Sequence, residues 1–166
     1  MKENDISRRL FLKQALALTA TAAVPSFWTP AKALTVPTHP FAAPSDRVNL
    51  ALIGIGNRGN EIAKELYNTG LCNIVALCDV DMGAAHTQEI MKMFPNAPRF
   101  QDFRVMLDKM GSKIDACTAA VPDHSHFPVA IEVMAAGKHV YVEKPLARTF
   151  REIQLMMYAE KKYSVV

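Results

Sequence analysis

The sequence predicts an α/β fold: a Rossmann doubly wound parallel sheet of order 3-2-1-4-5-6. Three observations predict it. The apolar run VNLALI at 48–53 ends in Gly54-Ile55-Gly56-Asn57-Arg58-Gly59 and passes at once into a helical pattern. A second apolar run ends in an acid, Asp79, 20 residues after Gly59. From there to position 166, short apolar runs alternate with helical patterns, and each crossover is long enough to join parallel strands.

The G-x-G-x-x-G turn is generic by itself, and a glycine-rich loop of no function is the competing reading. In strand–turn–helix context the glycines acquire separate roles. Gly54 turns the strand sharply. Gly56 lets backbone approach a pyrophosphate. Gly59 shares a helical face with Ile62, Ala63 and Leu66, so its missing side chain brings helix and strand together. The helix start offers free N–H groups and partial positive charge to phosphates. Ile55, Asn57 and Arg58 complete the candidate cofactor-binding turn.

The remaining elements follow in order. The first helix runs over 58–68 and stops near Gly70. A strand follows at 73–78, then a helix over 84–94 closed by Pro95 and Pro98. A short strand lies at 99–100. A helix opens at Asp102, carries Phe103, Met106, Leu107 and Met110 on one face, and stops at Gly111. A strand at 114–120 leads through a turn into a helix that buries Phe127, Ala130, Ile131 and Met134, with Pro128 in its first turn and Gly137 as its stop. Strand 139–142 follows. Thr149-x-x-Glu152 is a capping box for a last helix with Phe150, Ile153 and Met157 inward. Residues 164–166 read as the start of a sixth strand.

Before position 47 the chain is of another kind. Arg8-Arg9-Leu10-Phe11-Leu12-Lys13 precedes an Ala/Leu/Thr-rich stretch, and Ala31-Lys32-Ala33 supplies a small-x-small cleavage pattern. These parts make 1–33 a twin-arginine-type signal peptide, directing the protein to the periplasm through the twin-arginine machinery. The competing readings are a chance Arg-Arg before an amphipathic helix and an uncleaved anchor. The stretch is shorter than the run of about 20 apolar residues that a membrane span needs. Residues 34–46, with prolines at 37, 40 and 44, form an extended linker, and 47–166 is the cofactor domain.

Composition excludes other classes. The 166 residues are 50% hydrophobic, which suits one globular domain. Of 19 basic and 16 acidic residues, five and two fall in 1–33, leaving 14 of each. No basic surface for nucleic acid is expected. Cys72, Cys78 and Cys117 have no C-x-x-C spacing and read as buried small hydrophobes.

Three positions carry chemistry. Asp79 ends its strand where an acid accepts hydrogen bonds from the adenosine ribose and repels a 2′-phosphate, and no arginine at 80–83 welcomes one, so NAD is favoured over NADP. The bland alternative is that Asp79 or Asp81 caps the following helix. The second position is Val121-Pro122-Asp123-His124-Ser125-His126, across the strand-order switch from the glycine turn. Its histidines lack metal-ligand spacing, so no metal is expected, and a satisfied helix-start His126 competes with any ligand contact. The third is Glu143-Lys144-Pro145, after strand 139–142. Glu143 there can bind ribose hydroxyls, and Lys144 can hydrogen-bond a substrate oxygen and assist proton transfer. A solvated surface turn is the plain alternative.

Together 51–59, 121–126 and Gly137-Lys138-His139-Val140-Tyr141-Val142-Glu143-Lys144-Pro145-Leu146-Ala147 resemble the Gfo/Idh/MocA family of oxidoreductases. The resemblance spans about 48–166. It implies an NAD(P)-dependent oxidoreductase acting on a sugar or polyol, with Lys144 catalytic, Glu143 contacting the cofactor, and Pro122, Asp123 and His126 on the nicotinamide side. It also implies a second α/β domain, supplying most of the substrate pocket, that the chain lacks. The expectation is therefore an exported NAD-binding domain, a fragment inactive alone, whose open sheet edge invites homo-oligomers. Two alternatives stand beside it: an NAD-dependent glycosidase of the same family, and a non-catalytic nucleotide-binding module.

Overall fold

The computed structural model describes residues 44–166. The twin-arginine segment and all but the end of the linker lie outside the described residues. Residues 44–46 form a single 3-10 turn.

Five strands form one parallel sheet: β1 (Val48–Ile53), β2 (Cys72–Cys78), β3 (Arg99–Phe100), β4 (Ala116–Ala119) and β5 (His139–Val142). Their spatial order is β3-β2-β1-β4-β5. This is the doubly wound order the sequence predicts, with the reversal between β1 and β4. Ile53 pairs with Cys78 on one side and Ala119 on the other, and Ala119 pairs with Val142. Four strands therefore end at one level, which lines up the turns that follow them.

Four α-helices connect the strands, α1 (Arg58–Asn68), α2 (Gln88–Met93), α3 (Phe103–Met110) and α4 (Asp123–Ala135), and α5 (Phe150–Tyr163) follows β5. Strand alternation sends β1 and its neighbours to two cores. Ala51, Ile53, Ala76, Cys78, Cys117 and Ala119 face Met106 of α3 and Val129 and Val133 of α4. Leu50, Leu52 and Leu77 face the other way, against Ala63 of α1 and Ile90 and Met91 of α2. A third cluster joins Ala130 and Met134 of α4 to Met156 and Ala159 of α5. Cys72, Cys78 and Cys117 are free and buried, and burial pushes Cys78 and Cys117 each up to about 12.

The structure corrects several local expectations. The helix read over 84–94 opens as a 3-10 turn at Ala85–Thr87, because the Thr87 hydroxyl donates to the Ala84 carbonyl at 2.8 Å. Neither Asp79 nor Asp81 caps that helix; Asp81 accepts from the Gly83 N–H instead. The helix opening at Asp102 ends at Met110 with Gly111 as its C-cap, as expected, though Gly111 stays right-handed and starts a 3-10 turn. Pro128 lies inside α4 rather than in its first turn, and α4 buries Val129 and Val133 as well as Ala130 and Met134. Residues 164–166 are not a strand. Ser164 takes a left-handed conformation that caps α5. Only one ladder-like bond follows, from the Val140 N–H to the Val166 carbonyl at 2.8 Å.

Candidate functional site

The glycine turn is built by close backbone approach. A methyl group on Gly54, whose φ is +79°, would strike the Ala120 carbonyl, and one on Gly59 would strike the Gly54 carbonyl. The first glycine thus lets β1 turn beside β4, and the third lets α1 lie against that turn. Asn57 sits between them at φ 44° and is the N-cap of α1, with no side-chain cap. Among the described residues, no protein acceptor is recorded for the N–H groups of Gly56, Asn57 and Arg58. Three unfilled donors at a helix start fit an anionic pyrophosphate.

Asp79 ties the turn to the sheet. One carboxylate oxygen accepts from the Ile55 N–H and the other from the Asp81 N–H, both at 3.0 Å. Its own N–H reaches the Phe100 carbonyl at 3.0 Å. The acid therefore already shapes the loop, whatever else it binds.

Beside these residues opens a cleft of about 690 Å³ at the carboxyl ends of the strands. Gly54, Gly56, Asn57, Arg58, Asp79 and Pro122 of the sequence-predicted set line it. The other side chains of that set stand elsewhere. Ile55 and Gly59 are buried beneath the turn, and Asp123 is exposed at the start of α4. His126 is 1% exposed, with Nδ1 against the Pro145 carbonyl at 2.5 Å.

Glu143 and Lys144 follow β5 at the same edge. The Glu143 N–H donates to the Ala119 carbonyl at 3.1 Å, which holds this turn to the end of β4. Its carboxylate accepts from the Tyr141 hydroxyl at 3.1 Å and pairs with Arg58 Nε at 3.5 Å. The hydrogen bond to Glu143, then burial, raises the Tyr141 phenol above its ordinary value. Arg58 is raised first by its hydrogen bond to Glu61, with Glu143 adding to it. Arg58 thus links the helix start on one side of the strand-order switch to the β5 turn on the other. Lys144 is exposed, and its peptide bond to Pro145 is cis. Among the described residues, no group of three or more His, Cys, Asp or Glu side chains is gathered to hold a metal.

Sequence reasoning missed His86. Its imidazole lies over Gly56, in the space a side chain there would fill, and it lines the cleft. No motif marks this position; only the 3-10 turn at Ala85–Thr87 brings it over the glycines.

Fold and cleft together define a nucleotide-binding Rossmann domain. The chain belongs to the GFO_IDH_MocA family (oxidoreductase family, NAD-binding Rossmann fold), whose model matches residues 48–166. A glycosyl hydrolase family 109 protein of Shewanella pealeana is 32% identical over 173 residues, covering 94% of this chain and 37% of its own length. An alpha-N-acetylgalactosaminidase of Shewanella oneidensis is 30% identical over 175 residues, covering 95% and 38%. The WlbA dehydrogenase of Bordetella pertussis, solved with NADH and UDP-GlcNAcA, superposes with a TM-score of 0.62 at 26% identity, covering 72% of this chain and 36% of that one. The chain thus spans little more than a third of the length of the curated relatives it matches. The family's matching domain is an NAD-binding one, which fits the donors of the glycine turn.

Proposed function

We propose that this chain is the NAD-binding domain of an exported enzyme that moves hydride between NAD and a carbon of a sugar or polyol. The observation that carries the proposal is the unfilled trio of N–H donors at the start of α1, opening on a cleft that Asp79 borders and whose sheet edge Glu143 and Lys144 share. Bound NAD supplies the hydride acceptor. The chain's own residues do the rest. The N–H groups of Gly56, Asn57 and Arg58 hold the pyrophosphate. Asp79 accepts the adenosine ribose hydroxyls and sets a preference for NAD over NADP. Pro122, Asp123 and Glu143 border the nicotinamide half. The Lys144 amine, which has no partner among the described residues, hydrogen-bonds the reacting sugar oxygen and takes its proton onto the nitrogen lone pair.

A second reading has its own support. In a glycosidase the same hydride exchange is transient and the net reaction is hydrolysis. The two Shewanella relatives bear glycosidase names and align over 94% and 95% of this chain. Residues 48–166 are about 72% of it, so those alignments also take in most of 1–47. The run Arg8-Arg9-Leu10-Phe11-Leu12-Lys13 before an apolar stretch supports export by the twin-arginine route.

The test is turnover with NAD, by the full-length enzyme of which this chain is the proposed NAD-binding domain, against free sugars and polyols and against aryl N-acetyl-α-galactosaminides, with Lys144→Met as control. Sugar-dependent NADH formation lost in Lys144→Met supports the oxidoreductase. Aryl release without net NADH, also lost in Lys144→Met, supports the glycosidase. Turnover unchanged by Lys144→Met contradicts the role given to that residue.

A further inference from the structure

We infer that His126 is a positioning residue for the Lys144 turn, and not a contact of the cofactor. The inference rests on the proposed role of Lys144 and deepens it. His126 lies in the first turns of α4, after a start at Pro122 that has no side-chain cap. Its side chain is 1% exposed and does not line the cleft. It crosses instead to the turn after β5, where Nδ1 meets the carbonyl of Pro145 at 2.5 Å.

A carbonyl oxygen only accepts, so Nδ1 carries a proton and donates it to Pro145. Nε2 is buried with no hydrogen-bond partner. A core histidine kept only for packing has no reason to leave a ring nitrogen unmet, because an apolar side chain of the same volume fills the space without that penalty. What the imidazole provides and an apolar ring cannot is the Nδ1–H on Pro145. That bond joins residues 19 apart, tying the helix after β4 to the loop after β5. The Glu143 N–H, bonded to Ala119, anchors the same turn from its other side. Lys144 stands between the two anchors, with its backbone held and its exposed side chain directed by them.

The test measures hydrogen–deuterium exchange and reaction of Lys144 with an amine-selective reagent, using exposed Lys113 as internal reference, in the NAD-supplemented protein. His126→Phe keeps ring volume and removes the donor. His126→Asn places an amide N–H near the position of Nδ1. In His126→Phe, exchange across 143–149 is expected to quicken by about tenfold, with 48–60 unchanged and Lys144 labelling altered about threefold or more against Lys113. His126→Asn is expected to return both toward the parent. Unchanged exchange at 143–149 in His126→Phe overturns the inference. So does faster exchange throughout both segments, or an Asn variant as altered as Phe, since either makes His126 a packing residue. None of these readouts needs a substrate. Unaltered turnover in Lys144→Met would strike the proposed role of Lys144 alone, leaving the exchange result to decide whether His126 holds the turn.

Discussion

Asp79 is assigned two tasks at once. Its carboxylate fixes the Ile55 and Asp81 N–H groups, and the proposed second task, from its place just after β2, is to bind the adenosine ribose. The two separate by substitution. Asp79→Asn removes the charge and keeps one of the two acceptor oxygens, so it is expected to narrow the gap between NAD and NADP affinities while losing one of the two loop bonds. Asp79→Ala loses both loop bonds and is expected to lower stability by about 1–3 kcal/mol as well. Calorimetric titration with each dinucleotide, beside thermal melts, checks both. Gly59→Ala is expected to cost about 1–3 kcal/mol, because its methyl group meets backbone at Gly54 rather than a side chain that can swing away. The sequence made the glycines and Asp79 legible because each obeys a local rule of spacing. His86 over Gly56, and His126 on Pro145, are contacts between segments far apart in sequence, and nothing local announces them.

Elements with a sharp local signal are where the sequence reads best. Thr149 accepts from the Glu152 N–H at 3.2 Å while the Glu152 carboxylate accepts from the Thr149 N–H at 3.0 Å, the capping box the sequence spells. Thr149→Ala is expected to cost about 1 kcal/mol in thermal unfolding. The helix start at Asp102 and the left-handed stops at Gly70 and Gly137 are similar cases. The less legible elements fail for physical reasons. Helix α4 is apolar on two sides, facing sheet and α5 together, so periodicity picks one stripe and misses Val129 and Val133. The 3-10 opening before α2 depends on the Thr87 hydroxyl binding its own loop. A left-handed Ser164 ends α5 where a strand was expected, and no residue type signals a left-handed serine.

For the whole molecule, the order of the sheet was readable because alternating elements and right-handed crossovers leave few arrangements. Buried thiols make its stability depend on pH. Cys78 and Cys117 stay protonated in the folded chain to about 12, against an ordinary value of 9.0. Below about pH 9 both states hold these protons. Above it the unfolded chain releases them and the folded chain does not, so stability falls as pH rises from about 9 toward 12. Melting temperatures across that range are expected to fall less in Cys117→Ala than in the parent, relative to each at neutral pH. Export belongs to this scale too. Replacing Arg8 and Arg9 by lysine is expected to trap precursor in the cytoplasm, and unchanged periplasmic yield would reject the proposed twin-arginine route.

The central claim is that the turn from β1 into α1 holds NAD through bare backbone N–H groups, with Asp79 on the ribose. Titrating the purified protein with NAD, beside Asp79→Ala and Gly59→Ala, tests it most directly. The account predicts saturable binding at one site per chain, weakened by about tenfold or more in each folded variant, the equivalent of one lost hydrogen bond to a charged group. Absence of saturable binding by the parent, or equal affinity in parent and both variants, would contradict it.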